Sequence, residues 1–291
     1  MSRDSLETAI PGISRTVQVN RLRLHYLDFD VEHAATLSPS DDPRPTLIFI
    51  HGGAAHAHWF DFVARAFVTH YRVLSLDLRG HGNSEWARDS DYRYETYAND
   101  VAQFIQALKL EEAALVGHSM GGMVSLVTAS RHPRWVRRLV VIDSMMQMTP
   151  QRASTLRGIG EGRGRAFESQ DAYVRGFKIR PAGTTARPEI VRHMATHACR
   201  QFEDGQWRNK FDRNVYAKRH PIDGFAHWAN VKAPALLVAG GDSDRITPEV
   251  LAKVRSACPQ VENCAVEAAG HHVTLDNPTG FRREVGRILN P

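Results

Sequence analysis

Five short apolar runs recur along the chain: Leu47-Ile48-Phe49-Ile50, Val73-Leu74-Ser75-Leu76, Ala113-Ala114-Leu115-Val116, Leu139-Val140-Val141-Ile142 and Ala235-Leu236-Leu237-Val238. Runs of this length that do not alternate with polar residues fit strands buried on both faces, as in a parallel sheet. Between most of them the spacing becomes helical. Tyr97, Val101, Phe104, Ile105 and Leu108 share one helical face and would cover one side of such a sheet. Ahead of the runs, Val17 to Asp30 alternates apolar and polar positions around Asn20, which predicts a hairpin. Residues 31–45 collect Ser38, Pro39, Pro43 and Pro45 and read as a surface loop. Strand–helix alternation of this kind predicts an α/β fold with a doubly wound, mostly parallel sheet.

The alternation stops after Asp143 and resumes at Ala235. The intervening residues are rich in Arg, Gly and Thr and contain no clear buried strand. Glu203-Asp204-Gly205-Gln206, flanked by Phe202 and Trp207, predicts a small hairpin. A long insertion at one end of a parallel sheet reads as a lid over a ligand site. The expected organisation is a first core part over 1–144, an inserted and mainly helical cap over 145–230, and a second core part over 231–291.

Composition narrows the class. A chain of 291 residues with 42% hydrophobic and 24% charged positions is neither disordered nor collagen-like. No stretch approaches the roughly 18 apolar residues a spanning helix needs. Met1 to Ile10 carries Asp4 and Glu7 and no apolar segment, so no secretory leader is expected. Cys199, Cys258 and Cys264 cannot all pair and form no CxxC, which points to a reducing, cytoplasmic setting. The net charge of +5 is uneven: residues 151–220 carry +8 and the rest −3. The basic residues stand singly, without a Lys/Arg run or a zinc-finger pattern, so a nucleic-acid partner is not expected.

The sharpest chemical signal is Gly117-His118-Ser119-Met120-Gly121-Gly122, directly after the run Ala113–Val116 and before the helix-compatible stretch Met123 to Ser130. Strand, tight glycine turn and helix are the setting of a nucleophile elbow, which lifts a serine hydroxyl above the sheet edge. A serine needs a general base and an oriented acid to become a nucleophile. Two later loops offer them: Gly240-Gly241-Asp242-Ser243-Asp244-Arg245-Ile246-Thr247-Pro248, and Gly270-His271-His272 after the run around Val261 to Val266. The order Ser, Asp, His excludes the two protease orders.

From about Val17 to the C-terminus the chain resembles the α/β-hydrolase fold superfamily. The matching motifs are His51-Gly52-Gly53, Asp77-Leu78-Arg79-Gly80-His81-Gly82-Asn83-Ser84, the Ser119 elbow, Gly241 to Pro248, and Gly270-His271. The resemblance implies Ser119 as nucleophile, His271 as general base and Asp244 as orienting acid, the last because Gly241, Asp244 and Pro248 meet the family spacing. Asp143, at the end of an earlier strand, and Asp242 are rival acids; His272 is the neighbour rival to His271. The oxyanion would be met by the backbone N–H of Met120 and of Gly53, with Ala54 as the fallback. Trp59, Trp86 and His118 are candidates to line the substrate pocket.

Other clusters read as structural. His51, His56 and His58 invite a metal, but no carboxylate or cysteine at ligand spacing was found to join them, so they read as pocket-rim side chains and no metal is expected. The Asp77–Ser84 segment reads as a shaped loop in which Arg79 pairs with a carboxylate. The expected activity is a cofactor-free serine hydrolase cleaving a small-molecule ester or lactone, acting as monomer or homodimer with no membrane partner. Enol-lactonase, carbon–carbon bond hydrolase, cofactor-free haloperoxidase, or a ligand receptor with vestigial hydrolysis are the alternatives on the same triad. The basic insertion also raises a carboxylate-bearing substrate met by Arg163, Arg180, Arg192 or Arg208.

Overall fold

A computed structural model describes residues 12–30 and 42–289, so most of the expected 31–45 loop lies outside the described residues. Strands β1 (Ile13–Val19) and β2 (Leu22–Asp28) pair antiparallel as the expected hairpin. Asn20 and Arg21 between them both adopt left-handed φ values, 47° and 64°, the geometry of a two-residue turn that matches strand twist. The hairpin leads into β3 (Thr46–Ile50), β4 (Arg72–Leu76), helix α1 (Tyr94–Ala107), β5 (Ala113–His118), α2 (Met120–Arg131) and β6 (Val136–Ile142). After the insertion come β11 (Ala235–Gly240), α8 (Pro248–Ala257), β12 (Glu262–Val266), α9 (Val273–Asp276) and α10 (Pro278–Leu289).

These strands form one eight-stranded sheet in the order β1-β2-β4-β3-β5-β6-β11-β12, parallel from β4 to β12. Successive side chains point to opposite faces, and both faces are buried. Ile48, Ile50, Leu74, Leu115 and Val141 pack with Tyr97, Val101 and Phe104 of α1. Leu47, Phe49, Val73, Val116 and Val140 pack with Phe281 and Val285 of α10 on the other face. Two-sided burial is the physical reason that the runs carry no alternation. From β3 the chain steps first to β4 on one side and then to β5 on the other. The C-terminal ends of β3 and β5 therefore flank a topological switch point, where open α/β sheets bind ligands.

The insertion between β6 and β11 holds β7 (Gln147–Met148), α3 (Pro150–Glu161), α4 (Gln170–Gly176), α5 (Pro188–Ala198), β8 (Cys199–Gln201), β9 (Trp207–Asn209), α6 (Asn214–Ala217), β10 (Ile222–Asp223) and α7 (Gly224–Trp228). The β8–β9 ribbon is the hairpin expected at Glu203–Gln206. No described helix is long and apolar enough to cross a membrane.

The Asp77–Ser84 segment is a fixed structural loop. Asp77 accepts hydrogen bonds from the His25 ring (2.7 Å) and from the backbone N–H groups of Ala57 (2.7 Å) and Asn83 (2.9 Å). Arg79 forks onto Asp100.

Candidate active site

Ser119 stands between β5 and α2 with φ 54° and ψ −117°, a left-handed conformation that a non-glycine residue holds only when its surroundings enforce it. Its N–H donates to Ile142 O (2.8 Å) and its carbonyl accepts from Ser144 Oγ. The turn closes because α2 begins hard against the end of β3. A Cβ on Gly121 would lie 2.2 Å from the carbonyl oxygen of Ile50. The strand–turn–helix reading of residues 113–130 thus corresponds to β5, a strained serine and α2.

His271 lies beside that serine. Its Nε2 is 3.1 Å from Ser119 Oγ, and its Nδ1 is 2.7 Å from Asp143 Oδ2. With Nδ1–H donating to the carboxylate, Nε2 is left bare to accept from the serine hydroxyl. Burial lowers the His271 pKa, with Arg245 and His272 adding to the effect, so the imidazole is neutral in the free site. Burial acts in the opposite direction on the Asp143 carboxyl, raising its pKa.

The carboxylate beside His271 is therefore not the one the family spacing indicated. Asp244 is exposed and does not approach His271, and Asp242 is exposed as well. Asp143 follows β6, the immediate neighbour of β5 in the sheet, so its carboxylate is delivered next to Ser119. The loop after β11 supports it instead. Ser243 Oγ donates to Asp143 (2.8 Å), Gly240 N–H donates to its other oxygen (3.3 Å), and Arg245 Nε lies 3.7 Å away. The Gly241…Asp244…Pro248 spacing reflects the start of α8, where Thr247 caps the helix and Pro248 opens it.

A cleft of about 580 Å³ opens above Ser119 and His271. Gly52, Gly53 and Ala54 line it from the end of β3, beside Met120 at the start of α2. The fully buried His51 fixes this loop: its Nε2 accepts from Leu78 N–H (3.1 Å), and its Nδ1–H donates to Gly52 O (2.7 Å). A Cβ on Gly53 would come within 2.9 Å of Tyr216 Oη, so α6 closes tightly over this backbone. Trp59 and His118 line the cleft as expected, with rings 5.9 Å apart and nearly parallel. His118 also donates from Nε2 to the His271 carbonyl (2.7 Å), steadying the histidine loop. Trp86 does not line the cleft; it packs against Phe202 and Arg200 of the insertion. His272 is a support residue, its Nε2 bonded to Pro181 O at 2.8 Å.

Charge in the cleft is one-sided. Arg152, Arg180, Arg219 and Arg245 line it, and among the described residues no Asp or Glu does. Of the four arginines named as alternatives for meeting a carboxylate, Arg180 lines the cleft. Arg163 and Arg192 are exposed elsewhere, and Arg208 pairs with Asp204. Arg219, which the sequence did not single out, is 3% exposed. Its Nη2 touches Met120 Sδ (3.1 Å) and its guanidinium lies 5.4 Å from the Tyr94 ring centroid, while Nε and Nη1 have no hydrogen-bond partner among the described residues.

Among the described residues, two histidine groups could hold a metal: His118 with His271 and His272, and His58 with Asp61, His193 and His197. The first is the histidine floor of the cleft. The second corrects the reading of the early histidines as pocket rim, since none of His51, His56 and His58 lines the cleft. His56 bonds to Met194 O of α5 (3.1 Å), and His58 meets the missing carboxylate, Asp61, only three residues on.

Comparison with known proteins agrees with this fold. The sequence model of a family described as alpha/beta hydrolase fold matches residues 45–278. The chain is 27% identical to N-formylmaleamate deformylase of Pseudomonas putida, covering 94% of this chain and 95% of that one. It is 29% identical to the esterase Rv0045c of Mycobacterium tuberculosis, covering 84% and 83%. The crystal structure of E-2-(acetamidomethylene)succinate hydrolase superposes with a TM-score of 0.81 at 23% identity, over 96% of this chain and all of that one.

Proposed function

The chain belongs to the alpha/beta hydrolase fold family, and on that premise we propose that it is a serine hydrolase cleaving an ester or related acyl compound through an acyl-enzyme. The observation that carries the reading is the continuous chain from Ser119 Oγ through His271 to Asp143, at 3.1 and 2.7 Å, on the floor of a cleft. His271 Nε2 takes the Ser119 proton as Oγ adds to the carbonyl carbon. The resulting oxyanion is met by the Gly53 and Met120 N–H groups, neither of which has another acceptor among the described residues. Asp143 stays ionised and stabilises the imidazolium. As the tetrahedral intermediate collapses, His271 returns the proton to the leaving group. Water, deprotonated by the same nitrogen, then adds to the acyl carbon and releases the acid and free Ser119. These steps call on no cofactor.

The substrate in this reading carries a carboxylate. A buried guanidinium with two unpaired nitrogens is costly unless an anion completes it, and Arg219 points to such an anion within reach of the reacting centre. The relative named N-formylmaleamate deformylase, an enzyme named for a carboxylate substrate, supports this choice. The test is turnover of a panel of neutral and carboxylated esters by wild type and Ser119→Ala. Loss of the nucleophile is expected to lower kcat by roughly 10⁴-fold or more across the panel. Undiminished turnover by the folded variant would refute the mechanism.

A further inference from the structure

Away from the cleft, α5 crosses the short turn Ala57–Phe60, and four titratable side chains meet there. Asp61, whose side chain is fully buried, accepts on one oxygen from both His58 Nδ1 and His193 Nε2, each at 2.8 Å. Its other oxygen, Oδ1, is buried without a partner among the described residues. His197, one helical turn beyond His193, stacks on His58 with centroids 3.6 Å apart and stands 4.6 Å from the His193 ring. The ligand-capable atoms of all four lie within 4.8 Å of one another, and none of the four residues lines the cleft.

We propose that His58, Asp61, His193 and His197 form a binding site for one zinc-class divalent transition-metal ion, which clamps the insertion helix α5 to the core. The donor set is three imidazoles and one carboxylate, the borderline nitrogen and oxygen ligands that suit Zn²⁺. The spacing is that of ligands held on regular backbone: His58 and Asp61 are three apart on a turn, and His193 and His197 are four apart on one helix face. Bonds of about 2.0–2.1 Å place tetrahedral donors roughly 3.4 Å apart, a contraction of little more than 1 Å from the widest separation here. Each imidazole keeps one proton, on the ring nitrogen turned away from the ion. The two imidazole nitrogens that face Asp61 Oδ2 in the metal-free cluster turn lone pairs to the ion in place of their protons, and Asp61 changes from hydrogen-bond acceptor to ligand. Four protein ligands leave no open position, so the site is structural and stands apart from the proposed hydrolysis.

The test uses the full chain stripped with a chelator and then titrated with Zn²⁺ or Co²⁺ alone. One ion per chain, a rise in melting temperature and the intense visible absorption of four-coordinate Co²⁺ are expected. His197→Phe keeps the ring stacking and removes a donor; His193→Gln keeps a hydrogen-bond donor to Asp61. Each is expected to weaken binding by more than the about 10- to 100-fold typical for loss of an outer-shell partner. Weak octahedral Co²⁺ absorption in the wild type, or no saturable binding, overturns the site without recourse to any variant. An unchanged zinc-induced melting shift in His197→Phe overturns it too, and zinc inhibition of ester turnover persisting there places the ion on His118, His271 and His272.

Discussion

Asp143 gains its position from backbone geometry that few residues tolerate. It directly follows β6 with φ 44°, and its fully buried carboxylate is held by Ser243, Gly240 and His271. A carboxylate there fixes the histidine tautomer, whereas an amide offers Nδ1–H no charged acceptor. Asp143→Asn is therefore expected to lower kcat by about 10⁴-fold while Asp244→Asn leaves it near wild type, measured with one p-nitrophenyl ester. The reverse ranking would return the acid to the loop after β11. Arg219 is argued in the same way from its unpaired nitrogens. Arg219→Gln is expected to lower kcat/KM for a carboxylated ester by at least about 30-fold, the lower end of what loss of a buried charge partner costs, and to spare its neutral analogue. Added salt should slow the carboxylated ester more than the neutral one, because screening weakens attraction into a cleft of one sign. Equal losses for both esters would make Arg219 a packing residue.

At the scale of elements, the strand–turn–helix around Ser119 was legible because its determinants are contiguous: an apolar strand, glycines around Ser119 and a helix start all lie within residues 113–131. Gly121 states the constraint most sharply. Gly121→Ala would force α2 away from β3, and a loss of about 1–3 kcal/mol is expected in urea unfolding, with ester turnover falling alongside. Unchanged stability and turnover would mean that the elbow has slack. The acid was not legible in the same way. Choosing between Asp143 and Asp244 requires knowing that β6 rather than β11 neighbours β5, and strand order is a tertiary fact. Trp86 misled for a related reason, since its position in a loop near the motifs did not reveal that β8 lies over it. The histidine–carboxylate cluster was legible only in part: Asp61 lies three residues from His58, while His193 and His197 arrive from more than 130 residues away.

For the whole molecule, the buried histidines set a limit on acid tolerance. His51, His56, His81 and His118 are enclosed, and burial lowers the pKa of each below the ordinary value of 6.5. As pH falls through 6.5 the unfolded chain takes up protons that the folded chain refuses, so stability is present above that pH and declines below it. Each such group contributes about 1.4 kcal/mol per pH unit over its window. The melting temperature is expected to drop steeply from about pH 6.5 to pH 5, and a flat profile would show that these imidazoles stay accessible to protons in the native state. Turnover has a separate limit. Because the same burial disfavours the His271 imidazolium, the acid limb of kcat/KM is expected below the ordinary histidine range wherever the fold survives.

The most direct measurement traps the covalent intermediate. The protein is quenched in acid during turnover of a slowly deacylating p-nitrophenyl ester, digested, and its peptides weighed. The added acyl mass is expected on the peptide containing Ser119, stoichiometric with the burst of p-nitrophenol, and absent from Ser119→Ala. A stoichiometric burst with the acyl group on another residue, or steady turnover with no acylated peptide, would contradict a serine acyl-enzyme mechanism at this site.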